Sequence, residues 1–239
     1  MGSARNLPWA LRPYVPRAVR RAVTRARFGD LRRTEPVSDW GFGRGTPVDR
    51  WYIERFLTER AYLVRGHALE VKQDLYASRL GASSVDVLDI DADNPHATVV
   101  GDVCEPSTLP AATYDAAVVT QTLQLVPRPL DAVRNLLVAV KPGGSLLLTV
   151  PALSRLADSW DRWRWTPRGL RDLLAEGAPP DAEVDCVGFG NGLAARAFLF
   201  GLAVSDLDED VLGRSDEDYP VVVAARVGLR PDPFPELAV

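Results

Sequence analysis

Residues 114–150, YDAAVVTQTLQLVPRPLDAVRNLLVAVKPGGSLLLTV, hold two apolar runs with a helical pattern between them. Tyr114–Thr120 (YDAAVVT) is short, apolar and rich in valine, the composition of a buried strand. Pro129–Val140 carries apolar residues at helical spacing, and Lys141-Pro142-Gly143-Gly144 supplies both breakers as a stop. Ser145–Val150 (SLLLTV) is the next strand. A strand, a helix and a strand in such close succession predict neighbouring strands in a mostly parallel sheet covered on both faces.

The same alternation extends both ways. Upstream, His67–Lys72 (HALEVK) predicts a first strand, followed by a short helix through Arg79 that stops at Gly81. Val85–Ile90 and Thr98–Gly101 are the second and third strands. Only Asp91–Ala97 joins those two, where a parallel crossover usually takes a dozen residues. Seven extended residues span about 20 Å, longer than a five-residue strand, so a helix-free return is feasible. Downstream, Thr166-Pro167 has the form of an N-cap with proline at the first helical position, opening a helix to about Glu176. Ala182–Gly188 and Tyr219–Val227 complete seven strands; Asn191–Val204 is expected as a helix and Ser205–Asp218 as a polar connector.

Composition narrows the function classes. The 239 residues are 46% hydrophobic and 25% charged, which excludes a wholly disordered chain. No apolar run approaches the roughly 20 residues of a membrane span. The arginine-studded start has no apolar signal core, and Cys104 and Cys186 are far apart, so a cytoplasmic location is expected. With only His67 and His96 available, no metal site is expected. Residues 1–33 carry nine arginines and one aspartate, so the rest of a chain of net charge −4 is strongly acidic. Within that arm Val19, Ala22, Val23 and Ala26 form a stripe along Pro16–Phe28, predicting an amphipathic helix. Trp9 and Tyr14 are too few aromatics for a nucleic-acid arm. The expected division is a basic arm over 1–33, a helical cap over 34–65 and the sheet domain over 66–239.

In open sheets of this kind the ligand lies beyond the carboxyl ends of the strands. His67 begins the first strand and His96 precedes the third, so both fall on the wrong edge. Asp89 ends the second strand, 19 residues after Glu70, near the spacing at which nucleotide-binding sheets offer a carboxylate to ribose hydroxyls. A carboxylate accepts from both hydroxyls at once. Asp102 ends the third strand, where an acceptor reaches an exocyclic adenine amine. Thr120 and Gln121 end the fourth.

With these residues in place, the chain resembles the class I S-adenosylmethionine-dependent methyltransferases, above all their small-molecule "type 11" group. The likeness runs over about residues 40–227 and is strongest over Leu109–Pro151. Gly41–Leu57 (GFGRGTPVDRWYIERFL) resembles the N-terminal cap of one subgroup. The resemblance implies a Rossmann-like doubly wound α/β sheet of seven strands in the order 3-2-1-4-5-7-6, the last antiparallel, with an N-terminal helical cap. It implies S-adenosylmethionine as cofactor. Asp89 is then expected at the ribose, Ile90 among the cofactor contacts, Asp102 and Val103 at the adenine, and Thr120 and Gln121 beside the methionine end. Glu70 matches the acidic position of the family's first motif, and Lys72 stands where that motif has a glycine, with Glu70 and Asp74 near enough to hold its ammonium aside.

Methyl transfer is an in-line displacement at an activated carbon and needs chiefly positioning and exclusion of water. A base is required only when the acceptor must lose a proton. Asp161 and Tyr52 are the expected bases. Tyr52, Trp163, Arg164 and Trp165 are the expected acceptor contacts, since this fold builds its acceptor pocket after the fifth strand. The activity so implied is methyl transfer to a small hydroxylated or amino-bearing metabolite of natural-product or sugar type, by a monomer or homodimer. The alternatives are the same fold turned to another reaction or to a scaffold, and a nucleotide-sugar or dinucleotide enzyme, against which the missing G-x-G-x-x-G argues.

Overall fold

A computed structural model describes residues 16–29 and 34–231. The chain divides into two units, Met1–Pro36 and Val37–Val239. In the first, α1 (Arg17–Phe28) follows Pro16, and Val19 and Val23 of the expected stripe are each about half exposed. The rest of the basic arm lies outside the described residues.

The second unit is one seven-stranded sheet with helices on both faces. Its elements are α2 (Val48–Glu59), β1 (His67–Val71), α3 (Ala77–Leu80), β2 (Ser84–Asp89), β3 (Val99–Val100), β4 (Tyr114–Thr120) and α4 (Pro129–Ala139). There follow β5 (Val140–Pro151), α5 (Pro167–Gly177), β6 (Glu183–Phe189), α6 (Gly192–Leu199), α7 (Glu209–Leu212) and β7 (Val222–Gly228). The order is β3-β2-β1-β4-β5-β7-β6, and only β7 runs antiparallel to its neighbours. Both match the expectation. Alternate residues of the central strands feed two separate cores. Leu69, Ala117, Val119, Leu146 and Leu148 pack with α4 and α5, whereas Ala68, Val118 and Leu147 pack with α2 and α6.

The short return between β2 and β3 exists as expected. It is built of side-chain turns, Asp91 accepting from Asp93 N–H and Asn94 from His96 N–H, so the peptide groups need no helix. Thr166 caps α5 by accepting from Gly169 N–H at 3.1 Å. Three boundaries differ, the simplest being the last strand, expected from Tyr219 and starting at Val222. Lys141–Gly144 does not separate helix from strand: β5 starts at Val140 opposite Tyr114, and the four residues bulge before pairing resumes at Ala116–Ser145. Gly143 takes φ 82°, and Lys141 ties the bulge down through Asp115 at 2.8 Å. The helix expected to reach Val204 ends at Leu199, because Gly201 turns the chain at φ 71°. Part of the polar connector is helical, as a short turn over Val204–Asp206 and as α7.

Both cysteines are buried free thiols. Burial raises the Cys104 thiol and pushes Cys186 up to about 11. His67 lies at the amino edge, facing Asp86 at 3.1 Å and Tyr114, as its position at the start of β1 predicts.

Candidate functional site

The strand order reverses between β1 and β4, and in open sheets the ligand crevice belongs at the carboxyl ends of the strands at such a point. Each of these strands leads into a left-handed residue that is not glycine, Lys72 at φ 74° and Gln121 at φ 49°. Such backbone costs on the order of 1–3 kcal/mol and persists where its surroundings impose it. Here the restraints are hydrogen bonds. Lys72 N–H donates to the Leu88 carbonyl at 2.8 Å, and Gln121 N–H to the Thr149 carbonyl at 2.8 Å. The Asn94 side-chain amide donates to the Lys72 carbonyl at 2.7 Å and to Asp89 Oδ2 at 2.6 Å. One amide thus fixes both the loop after β1 and the carboxylate after β2.

Asp89 keeps acceptor capacity after accepting from Asn94 and from Asp91 N–H, since a carboxylate offers about four lone-pair sites. Ile90 beside it is 71% exposed, an apolar surface at the same edge. Asp102 accepts from Cys104 N–H at 2.8 Å through Oδ1. Val103, expected at the adenine, packs its side chain into the core shared with α4, and its carbonyl accepts from Asn135. Glu70 is only 2% exposed, and its carboxylate accepts from Tyr76 N–H and Ala77 N–H at 3.0 and 2.8 Å. Burial raises its pKa while those amides oppose the rise. It shapes the loop from within instead of facing a ligand. Asp74 is engaged by Ser78. Neither carboxylate holds the Lys72 ammonium aside, contrary to expectation, and the Lys72 side chain stands exposed.

The expected bases are corrected as well. Asp161 has a side chain 2% exposed, paired with Arg164 at 2.5 and 2.9 Å and accepting from Ala157 N–H. The Arg164 guanidinium holds its carboxyl below the usual range, so it is an anchor for the segment after β5 and a poor base. Tyr52 is fully buried, stacked 6.1 Å from Phe189, and burial pushes its phenol up to about 12. It stays protonated at neutral pH and is a poor base. Nor do the acceptor candidates gather in one pocket. Tyr52 belongs to the α2 side of the sheet, whereas Trp165 packs on the α4–α5 side with Trp163 beside it. Those two tryptophans line a shallow groove with Arg128, Pro129, Leu130 and Leu173.

Sequence reading missed Asn94, Gln124, Thr149 and Asp49. The buried atoms Gln121 Nε2, Gln124 Oε1, Thr149 Oγ1, Tyr52 OH and Asp49 Oδ1 all lack a hydrogen-bond partner. Gln121 and Gln124 follow β4, and Thr149 is the register partner of Thr120. Buried polar groups are rarely left unpaired, and those beside a crevice are groups a ligand can satisfy. The signal for Thr149 was its polarity inside SLLLTV; Asn94 was hidden in a connector and Asp49 in the ordinary acidic first turn of a helix.

The sequence matches the family described as "Methyltransferase domain" over residues 14–174, more than half of the chain. This chain belongs to the methyltransferase domain family. Solved structures of the same fold include an S-adenosylmethionine-dependent methyltransferase from Archaeoglobus fulgidus, 14% identical, covering 75% of this chain and 94% of that one with a TM-score of 0.51. They also include the [4+2]-cyclase SpnF, 19% identical, covering 83% of this chain and 87% of that one with a TM-score of 0.50. No curated protein matches the sequence. Within the methyltransferase domain S-adenosylmethionine is the cofactor, and the donor set at the carboxyl edge suits it: Asp89 has spare acceptor capacity at the end of β2, and buried polar atoms without a partner lie at the ends of β4 and β5. Among the described residues no helix is long and apolar enough to cross a membrane.

Proposed function

We propose that this chain transfers a methyl group from S-adenosylmethionine to a hydroxyl or amino group of a small metabolite of natural-product or sugar type. The observation that carries the reading is the pair of left-handed residues, Lys72 and Gln121, flanking the crevice where the strand order reverses. The cofactor supplies a methyl already activated by the sulfonium. What remains for the protein is binding, orientation and exclusion of water. Asp89 accepts from the ribose hydroxyls, Ile90 covers one side of the base, and Asp102 receives its amine. Thr120, Gln121 and Thr149 border the methionine end, and Lys72 offers an exposed cation to its carboxylate. Tyr52 acts as a donor. Trp163 and Trp165 mark the acceptor side after β5, where the Asp161–Arg164 pair fixes the segment.

The proposal keeps the division into an arm over 1–33, a cap over 34–65 and the sheet domain over 66–239, in a cytoplasmic monomer or homodimer. A second reading, the fold put to another reaction, is favoured by the bulky Lys72 where the resemblance implies a glycine. Titration calorimetry with S-adenosylhomocysteine and with NAD separates the possibilities. S-Adenosylhomocysteine is expected to bind and to raise the melting temperature with concentration, NAD to do neither. Binding of NAD alone would overturn the proposal.

A further inference from the structure

Glu70 and Asp49 both carry buried carboxylate oxygens, and they differ in one respect. Glu70 is satisfied by the loop amides. Asp49, in the first turn of α2, has one oxygen, Oδ1, buried with no partner. Burial raises its pKa, against the opposing pull of Arg50 and of nearby backbone N–H groups. Asp49 lies close enough to Tyr76 to raise that phenol electrostatically, and Arg50 donates to the Tyr76 hydroxyl at 2.7 Å. Tyr76 N–H in turn binds Glu70. Arg50, beside Asp49 in α2, thus ties this first turn to the Tyr76 side chain of the loop that follows β1. One helical turn further on, Tyr52 carries a second buried unpaired atom.

An unpaired carboxylate oxygen in such a place is costly unless a cation meets it. The cofactor brings one to this loop, the α-ammonium of its amino-acid end. We infer that Asp49 receives that ammonium, while the exposed Lys72 after β1 receives the carboxylate, so that a zwitterion meets one charge of each sign. The inference rests on the cofactor reading above and adds a residue that neither the sequence reading nor the family resemblance assigns. A charged hydrogen bond of the N⁺–H···O⁻ kind is the strong class and is lost when either charge is removed.

The test uses the full chain and calorimetry with two probes, S-adenosylhomocysteine and 5′-methylthioadenosine, the second lacking the amino-acid end. Asp49→Asn keeps the shape and removes the charge. It is expected to weaken S-adenosylhomocysteine tenfold or more and to leave 5′-methylthioadenosine within twofold. A wild-type measurement needs no variant: the deamino analogue of S-adenosylhomocysteine is expected to bind at least tenfold more weakly than the parent. Equal losses for both probes in Asp49→Asn would show a purely structural residue and overturn the inference. Unchanged S-adenosylhomocysteine affinity in the variant, or parity of the deamino analogue, would overturn it too. Failure of the wild type to bind either nucleoside would reject the cofactor reading itself, and this inference with it.

Discussion

Gly201→Ala is expected to lower the melting temperature by roughly 5–15 °C, a loss of about 2–5 kcal/mol spread over a domain of this size. Gly201 holds φ 71°, and a Cβ there would stand 1.9 Å from the Ser38 carbonyl oxygen and 2.8 Å from its carbon. Those are backbone atoms with their own duties: Ser38 Oγ donates to the Gly201 carbonyl at 2.7 Å, and Val37 N–H donates to the Phe200 carbonyl at 2.8 Å. Nothing flexible can give way, so the left-handed strain and the overlap add. Gly43→Ala is the control, since a Cβ there meets nothing within 4 Å, and it is expected within about 0.5 kcal/mol of the parent. Thermal unfolding of the two variants side by side decides the matter; a Gly201→Ala protein melting with the parent would mean that residues 37–41 are not seated on the end of α6.

Asp89→Ala is expected to weaken S-adenosylhomocysteine by about 1.5–3 kcal/mol, or roughly ten- to 150-fold in Kd. Two effects combine. The ribose loses its charged acceptor, and Asn94 loses one of the two partners by which it pins the Lys72 carbonyl. Asn94→Ala separates them, since it leaves the carboxylate and removes only the pin; a smaller loss of affinity is expected for it. Calorimetry on both variants, with melting temperatures to confirm folding, gives the comparison. An Asp89→Ala protein with parental affinity would move the ribose contact elsewhere on the edge, Asp91 first.

The strands β1, β4 and β7 were legible in the sequence because they are short, apolar and buried on both faces. Their order came from the family resemblance over Leu109–Pro151, not from periodicity. What misled the reading was turn chemistry in the wrong place. Lys141-Pro142-Gly143-Gly144 has every mark of a loop, yet the strand begins before it, since Val140 already pairs with Tyr114 and the breakers bulge outward. Asp89 and Asp102 are nominated by position alone, at the carboxyl ends of β2 and β3. Glu70, Asp161 and Tyr52 sit close to where they were expected but face inward, toward amides, an arginine and an aromatic stack. Which way a side chain turns depends on partners far away in sequence, as with Asn94 reaching back 22 residues to Lys72. Periodicity carries no trace of such contacts.

The two thiols mark different margins of the fold, Cys186 on the edge strand β6 and Cys104 in the segment after β3, its Sγ 3.5 Å from the Arg128 carbonyl ahead of α4. Both are kept protonated and covered, so alkylating reagents see them only when their own margin opens. The molecule therefore carries a pair of internal clocks for local opening, one next to Asp102 at the nucleotide side and one far from it. Timed alkylation read by mass spectrometry should show S-adenosylhomocysteine slowing the modification of Cys104 much more than that of Cys186. Equal slowing would mean that the two margins open only together, in global unfolding.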